Sequence, residues 1–298
     1  MKVQVSTYLD YLKADLDTQI EMFKSLKLDG AFLRKLGGKS LLQFTEEEIN
    51  KIKSFYKKVD IVAVDPLIKS PHIDNKEALD KFKFDLELAA NLAKDLGAIN
   101  LVYRLPIFTD ITKEKDIVLP IINEHLSIIR KKKLNVLIKQ EKEHLSQTYR
   151  YVFENIKDSK VKFIFEPALL FQMGEAITAA FRILYDYIGV LVVDDKDPSG
   201  ASRLIGTGKY LDLNDLFKRF VKKEYEGWVV LDSGLIEQIN QASKSNWFEK
   251  TFFKQKRHEN KILFDYQQKH QNTDMTYMIK IQLAVLFLVF QNKKIKID

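Results

Sequence analysis

The chain has 298 residues, of which 46% are hydrophobic and 30% charged, with 11 Gly and 6 Pro; that composition supports one large core or two average domains and excludes collagen-like, mucin-like and largely disordered chains. The absence of Cys excludes a disulfide framework, a thiol nucleophile and a Cys-ligated metal centre, and five His leave little for a His-rich cluster. The net charge of +7 is diffuse: the runs Arg130–Lys133 and Lys254–Arg257 are short and sit beside acids, which argues for a solvated surface rather than a nucleic-acid stripe.

Short β-rich runs recur along the chain, each followed by helical periodicity. The start, MKVQVSTYLD, carries one Lys and a period-2 pattern, with no long apolar stretch or small-residue cleavage site, so it is expected to be a strand (Lys2–Thr7) and not a signal peptide. A helix over Thr18–Leu28 follows, with Ile20, Phe23, Leu26 and Lys27 on one face. The second strand is expected at Gly30–Arg34, and its helix opens with a capping box of Thr45 and Glu48. The third run, Val59–Pro66, leads to a long helix from about Asn75 to Leu96 that Gly97 closes. The fourth, Ala98–Pro106, leads to a helix from about Ile117 to Lys132.

The second half repeats the scheme. Asn135–Glu141 precedes a helix from about Ser146 to Ile156, and Val161–Pro167 precedes one at Gly174–Tyr187. Gly189–Asp195 precedes one at Asn214–Lys222, and Gly227–Asp232 precedes one beginning near Ser233. Several strands are unbroken apolar runs, as expected where both faces are covered. Eight strand–helix units over about 240 residues predict a (β/α)8 TIM barrel. A doubly wound open sheet, the alternative, usually carries a Gly-rich first loop, and no GxGxxG follows the first strand. Pro66, Pro106, Pro167 and Pro198 fall at or just beyond strand ends, where a missing donor costs nothing. The expected division is a barrel over 1–250 and a C-terminal helical extension over 251–298.

Barrel chemistry sits at the C-terminal strand ends, which here read Tyr8, Arg34, Asp65, Arg104, Glu141, Glu166, Asp194 with Asp195, and Asp232. Converging acids raise one another's pKa values unless a hard divalent cation or bound cationic groups neutralise them. Oxygen ligands favour magnesium or manganese over zinc. Taken singly, an acid after a strand is commonly a cap or ion-pair partner: Asp65 before Pro66 reads as a turn former, and Asp194, Asp195 and Asp197 before Pro198 as an acidic loop. Glu141, Glu166 and Asp232 end apolar runs abruptly and are the candidates for metal or substrate contact.

Four segments carry a resemblance to the xylose isomerase-like TIM barrels, the sugar phosphate isomerase/epimerase group. They are EKEH (Glu141–His144), FEPALLFQMGE (Phe165–Glu175), VVDDKD (Val192–Asp197) and IGTGKYLDLNDLF (Ile205–Phe217), and VVLD closes the eighth strand. The resemblance implies a divalent site built from Glu, Asp, His and Glu, falling here on Glu141, Glu166, Val192 and Asp232. It therefore implies Glu141, Glu166 and Asp232 as metal residues for weakly held magnesium or manganese, with Val192 unable to ligate. It implies Glu141 and Asp232 as the catalytic acid/base pair acting through an enediolate. Arg104 and Lys196 would bind a substrate oxygen or phosphate, a surface salt bridge being the alternative for each. DNA repair of the endonuclease IV type, which needs several His ligands, is disfavoured. The expected function is a sugar or sugar phosphate isomerase/epimerase with a small-molecule carbohydrate partner; the alternative is a degenerate barrel that binds a ligand or partner without metal chemistry. No nucleic-acid or membrane partner is expected, a homo-oligomer is compatible, and the location is read as cytoplasmic.

The last apolar run, Met278–Phe290, contains Lys280 and Gln282 and falls short of the ~20 residues that span a bilayer. A helix over Thr273–Asn292 that is apolar on most sides must be buried. It is expected to pack across the barrel's helical ring or against another subunit through Leu283, Leu286, Phe287 and Phe290, with a membrane anchor as the alternative.

Overall fold

A computed structural model describes residues 3–10, 15–26, 28–55, 59–208, 211–235 and 275–293 of the chain. Eight parallel strands form one sheet: β1 (Gln4–Thr7), β2 (Ala31–Leu33), β3 (Ile61–Val64), β4 (Asn100–Tyr103), β5 (Asn135–Lys139), β6 (Val161–Phe165), β7 (Ile188–Val193) and β8 (Trp228–Leu231). The hydrogen-bonded order is β1-β8-β7-β6-β5-β4-β3-β2. The remaining seam, between β1 and β2, is bridged just before β2: Asp29 N donates to Val5 O (3.2 Å), Val5 N to Asp29 Oδ2 (2.8 Å) and Ser6 Oγ to Gly30 O (2.7 Å). The sheet thus curls into the nearly closed (β/α)8 TIM barrel that the alternation predicts. Gly30 makes this approach possible, because a Cβ there would lie 2.5 Å from Val62 Cγ2 and 2.7 Å from the Trp228 ring.

The helices follow their strands: α1 (Leu16–Leu26), α2 (Glu46–Phe55), α3 (Lys76–Asp95), α4 (Ile111–Lys131), α5 (Ser146–Ile156), α6 (Pro167–Gln172), α7 (Ile177–Leu184), α8 (Leu213–Lys222) and α9 (Met275–Gln291). Their boundaries have local causes. Thr45 Oγ1 accepts from Glu48 N (3.3 Å) while Glu48 Oε2 accepts from Thr45 N (2.9 Å), which is the expected capping box of α2. Gly97, at φ +74°, closes α3. The helix expected at Gly174–Tyr187 is shorter, and a separate turn of helix, α6, precedes it. Pro167 starts α6 at its first helical position, and Gly174 at φ +74° ends the segment. Lys27, expected on the buried face of α1, and the segment 236–274, where a helix after β8 is expected to begin, lie outside the described residues.

Helix α9 packs on β1 and β8. Gln282 Nε2 donates to Ser233 Oγ just past the top of β8 (2.9 Å), and Gln291 Nε2 donates to Val3 O and Asp29 Oδ2 at the foot of the barrel (2.7 Å each). The helix therefore runs antiparallel to the strands, in the gap of the helical ring between β8 and β1. Leu283, Leu286, Phe287 and Phe290 are buried, as expected, and join the barrel's hydrophobic core. Among the described residues no helix is long and apolar enough to cross a membrane.

Candidate functional site at the barrel mouth

The strand ends bring the acids together, and all but Asp195 meet a basic side chain. Arg104, just past β4, forks onto Asp65 with Nη1 and Nη2 (2.7 and 2.9 Å) and donates from Nε to Glu141 Oε1 (2.6 Å). Asp65 is 1% exposed and also accepts from Leu67 N (2.9 Å), so it is both the expected turn former and the anchor of a buried guanidinium. Arg34, just past β2, clamps Asp10 (2.6 and 2.8 Å) and Asp232 (2.8 and 2.9 Å) and lies over the Tyr8 ring at 4.1 Å. Lys139, the last residue of β5, pairs with Glu166. Lys196 Nζ lies 2.7 Å from Asp194 Oδ2 and 2.6 Å from Ser202 Oγ, which itself donates to Asp194 Oδ2 (2.9 Å).

These contacts sort the sequence candidates. Glu141, Glu166, Asp232, Arg104 and Lys196 all stand at the mouth, but in separate ion pairs. Arg104 and Lys196 are buried, so neither is a surface salt bridge. Asp195 does not face a ligand space: its carboxylate accepts from Gly206 N (2.8 Å), Gly208 N (3.0 Å) and Lys196 N (2.9 Å). That is the use of the Gly-Thr-Gly segment, and a Cβ on Gly208 would lie 2.2 Å from Lys196 O. Glu175, of the Gly-Glu pair, accepts from Ser146 N at the start of α5 (3.1 and 3.2 Å). His144 stacks on Phe108 at 4.2 Å and contacts Pro106 O, a packing role.

Electrostatics separates the acids. Burial would raise Asp65 and Asp232, but the guanidiniums of Arg104 and Arg34 outweigh it and hold both below the usual carboxylate range. Burial raises Glu141 despite Arg104. Burial also lifts Asp194, against Lys196 and Ser202, to about 6. Asp194 Oδ1 is buried and has no hydrogen-bond partner among the described residues. Asp194 also lines a cavity of about 170 Å³, together with Glu166, Ala168, Leu169, Gln172, Val192, Lys196 and Asp232. Glu141 does not contribute to that lining.

The divalent ion implied by the resemblance does not fit this arrangement. Among the described residues no three His, Cys, Asp or Glu side chains form a group that could hold a metal. One oxygen each of Glu141 and Glu166 accepts from Arg104 and Lys139, and both oxygens of Asp232 accept from Arg34, so a metal would have to compete with three bound cations, and Val192 is buried without a donor atom.

The sequence points to five of the six acids and to Arg104 and Lys196 among their partners. Lys139, Asp10 and Ser202 were not singled out, and Arg34 was noted only as a strand end. The available signal for Lys139 was its phase: in NVLIK it shares a strand face with Leu137 and Asn135, so a charge there closes the barrel's own face.

No family model matches the chain, and no curated protein matches it by sequence. Solved structures do match in fold. An L-ribulose 3-epimerase aligns with a TM-score of 0.64 at 10% identity, covering 98% of this chain and 95% of that one. The 3-keto-D-glucoside 4-epimerase YcjR from E. coli aligns with a TM-score of 0.60 at 14% identity, covering 78% and 92%. A xylose isomerase-like TIM barrel protein from Mycobacterium smegmatis in complex with magnesium aligns with a TM-score of 0.58 at 12% identity, covering 80% and 95%. The chain has the fold of the xylose isomerase-like TIM barrels, as the sequence resemblance implies.

Proposed function

We propose that the cavity at the mouth binds an uncharged sugar and moves a proton on the carbon beside its carbonyl, as an isomerase or epimerase does. The observation that carries this reading is Asp194: a buried carboxyl with one unpartnered oxygen, a pKa near 6 and a lysine ammonium 2.7 Å away, lining a polar cavity. At neutral pH such a group is mostly ionised yet returns a proton readily, which is what a general base needs. Asp194 would take the proton, and the electron pair would move onto the carbonyl oxygen as an enolate that the Lys196 ammonium stabilises. Return of that proton from Asp194 to the former carbonyl carbon, while the hydroxyl proton on the adjacent oxygen passes to the enolate oxygen, gives isomerisation; delivery to the opposite face of the original carbon by Glu166, carrying a proton passed on from the Lys139 ammonium, gives epimerisation. Asp232, fixed by Arg34, would orient sugar hydroxyls. This gives Asp194 and Glu166 the acid/base role that the resemblance implies for Glu141 and Asp232, because Glu141 does not line the cavity and Asp232 is held ionised. The fold shared with sugar epimerases supports the choice of substrate class.

Charge favours an unphosphorylated sugar. The carboxylates of Asp10, Asp65, Glu141, Glu166, Asp194 and Asp232 face four cations, Arg34, Arg104, Lys139 and Lys196, leaving two negative charges at the mouth. Each of those cations is already paired. Ketohexoses and ketopentoses should therefore turn over with lower KM than their phosphate esters.

The reaction is tested by proton NMR in deuterated water with a panel of ketoses. Wild-type protein should wash deuterium into the position beside the carbonyl, and Asp194→Asn should lower that rate by about 100-fold or more. No wash-in by the wild type, or an undiminished rate in Asp194→Asn, contradicts the reading. The pairing of every mouth acid favours a second reading, a barrel that binds a sugar without chemistry; sugar binding by wild type with no wash-in is its signature.

A further inference from the structure

Lys139 stands where the acids converge. It ends β5, its side chain is 16% exposed, and its ammonium pairs with Glu166 past the end of β6. The carboxylates of Asp65, Glu141 and Asp232 stand at the other strand ends of the same mouth, held by Arg104 or Arg34. The acids held by Arg34, Arg104 and Lys139 are Asp10, Asp65, Glu141, Glu166 and Asp232, five carboxylates of which the two guanidiniums offset two. The three left over favour a further cation at the mouth, and Lys139 supplies one as a covalently tethered charge held on Glu166. The ammonium and a divalent metal compete, since the ammonium binds one Glu166 oxygen and repels a metal beside it at short range.

We infer that Lys139 is the resident cation of this mouth, replacing a divalent metal and keeping one out. The inference concerns the cation alone and holds whether or not the cavity turns over a sugar.

The test is calorimetric titration of chelator-stripped, full-length protein with Mn²⁺, alongside thermal melting with and without the ion. Wild type and Lys139→Arg, which keeps the charge, should show no Mn²⁺ binding at millimolar concentration. Lys139→Met, which keeps the aliphatic stem, and Lys139→Ala, which opens space, should bind Mn²⁺ on the order of 100-fold more tightly than wild type and melt higher in its presence. Adding Glu166→Gln to Lys139→Met should abolish the gain. Submillimolar Mn²⁺ binding by wild type or Lys139→Arg overturns the inference, and so does a folded Lys139→Met or Lys139→Ala that gains no Mn²⁺ binding. Should neither uncharged variant fold, the titrations of wild type and Lys139→Arg decide: saturable Mn²⁺ binding overturns the inference, and its absence in both supports it.

Discussion

Taking away the Arg104 guanidinium would leave Asp65 buried without a counter-charge and Glu141 beside it. Breaking such a pair from one side commonly costs about 3–5 kcal/mol. Arg104→Met should lose stability of that order in urea denaturation, and Arg104→Lys should recover part of it; a loss below about 1 kcal/mol would mean the pair is screened as a surface bridge is. Asp194 behaves in the opposite sense. Its folded pKa, about 6, exceeds the ordinary 3.8, so the folded state holds the proton more tightly. That contribution is complete below about pH 4 and is lost as pH rises through 6. The shift corresponds to about 3 kcal/mol. The unfolding free energy of Asp194→Asn relative to wild type should therefore rise between pH 4 and pH 7 by up to that amount, and a pH-independent difference would contradict the burial argument. At this scale the acids were legible because each interrupts an apolar run, as Glu166 does after VKFIF. Of their partners Arg104 and Lys196 were legible and Lys139 was not, because a Lys at a strand end reads as solvated surface until its neighbours across the sheet are known. Lys139 and Glu166 are 27 residues apart and meet only through the β5–β6 register.

Helix α9 illustrates what a single element's pattern does and does not specify. Its nearly continuous apolar sequence demanded burial, and Leu283, Leu286, Phe287 and Phe290 are buried. Its seat between β8 and β1 was not readable, since hydrophobicity alone does not choose between neighbouring strands and a second subunit. The contacts that fix the seat are polar: Gln282 to Ser233 and Gln291 to Val3 and Asp29. Phe287→Ala should cost about 3–5 kcal/mol by emptying a core site, whereas Leu288→Ser, at a position 49% exposed, should stay within about 0.5 kcal/mol. Equal effects in thermal or urea unfolding would place the helix outside the core. Truncation after Lys250 removes the helix that covers β1 and β8 and should cause aggregation; a soluble truncated chain of unchanged stability would contradict this. The loop after β6 was misread for a related reason. Gly174 reads equally well as the start of one helix or the stop of another, and its positive φ settles the second.

The whole barrel was legible because its evidence is distributed: eight apolar runs, eight trailing helical patterns and prolines at strand ends all agree. The chemistry is concentrated in a few ion pairs and is therefore harder to read. The overall charge of +7 conceals a mouth with six carboxylates and four cations, and the segments that resemble a metal-dependent family keep its strand-end acids while its cation is supplied from within. The account then requires that proton exchange, where it occurs, owes nothing to added metal. The direct measurement is the rate of deuterium wash-in by chelator-treated wild-type protein with an unphosphorylated ketose, before and after addition of Mn²⁺. The account predicts wash-in in the presence of chelator at a rate that Mn²⁺ leaves unchanged; wash-in that appears only with the metal would contradict it.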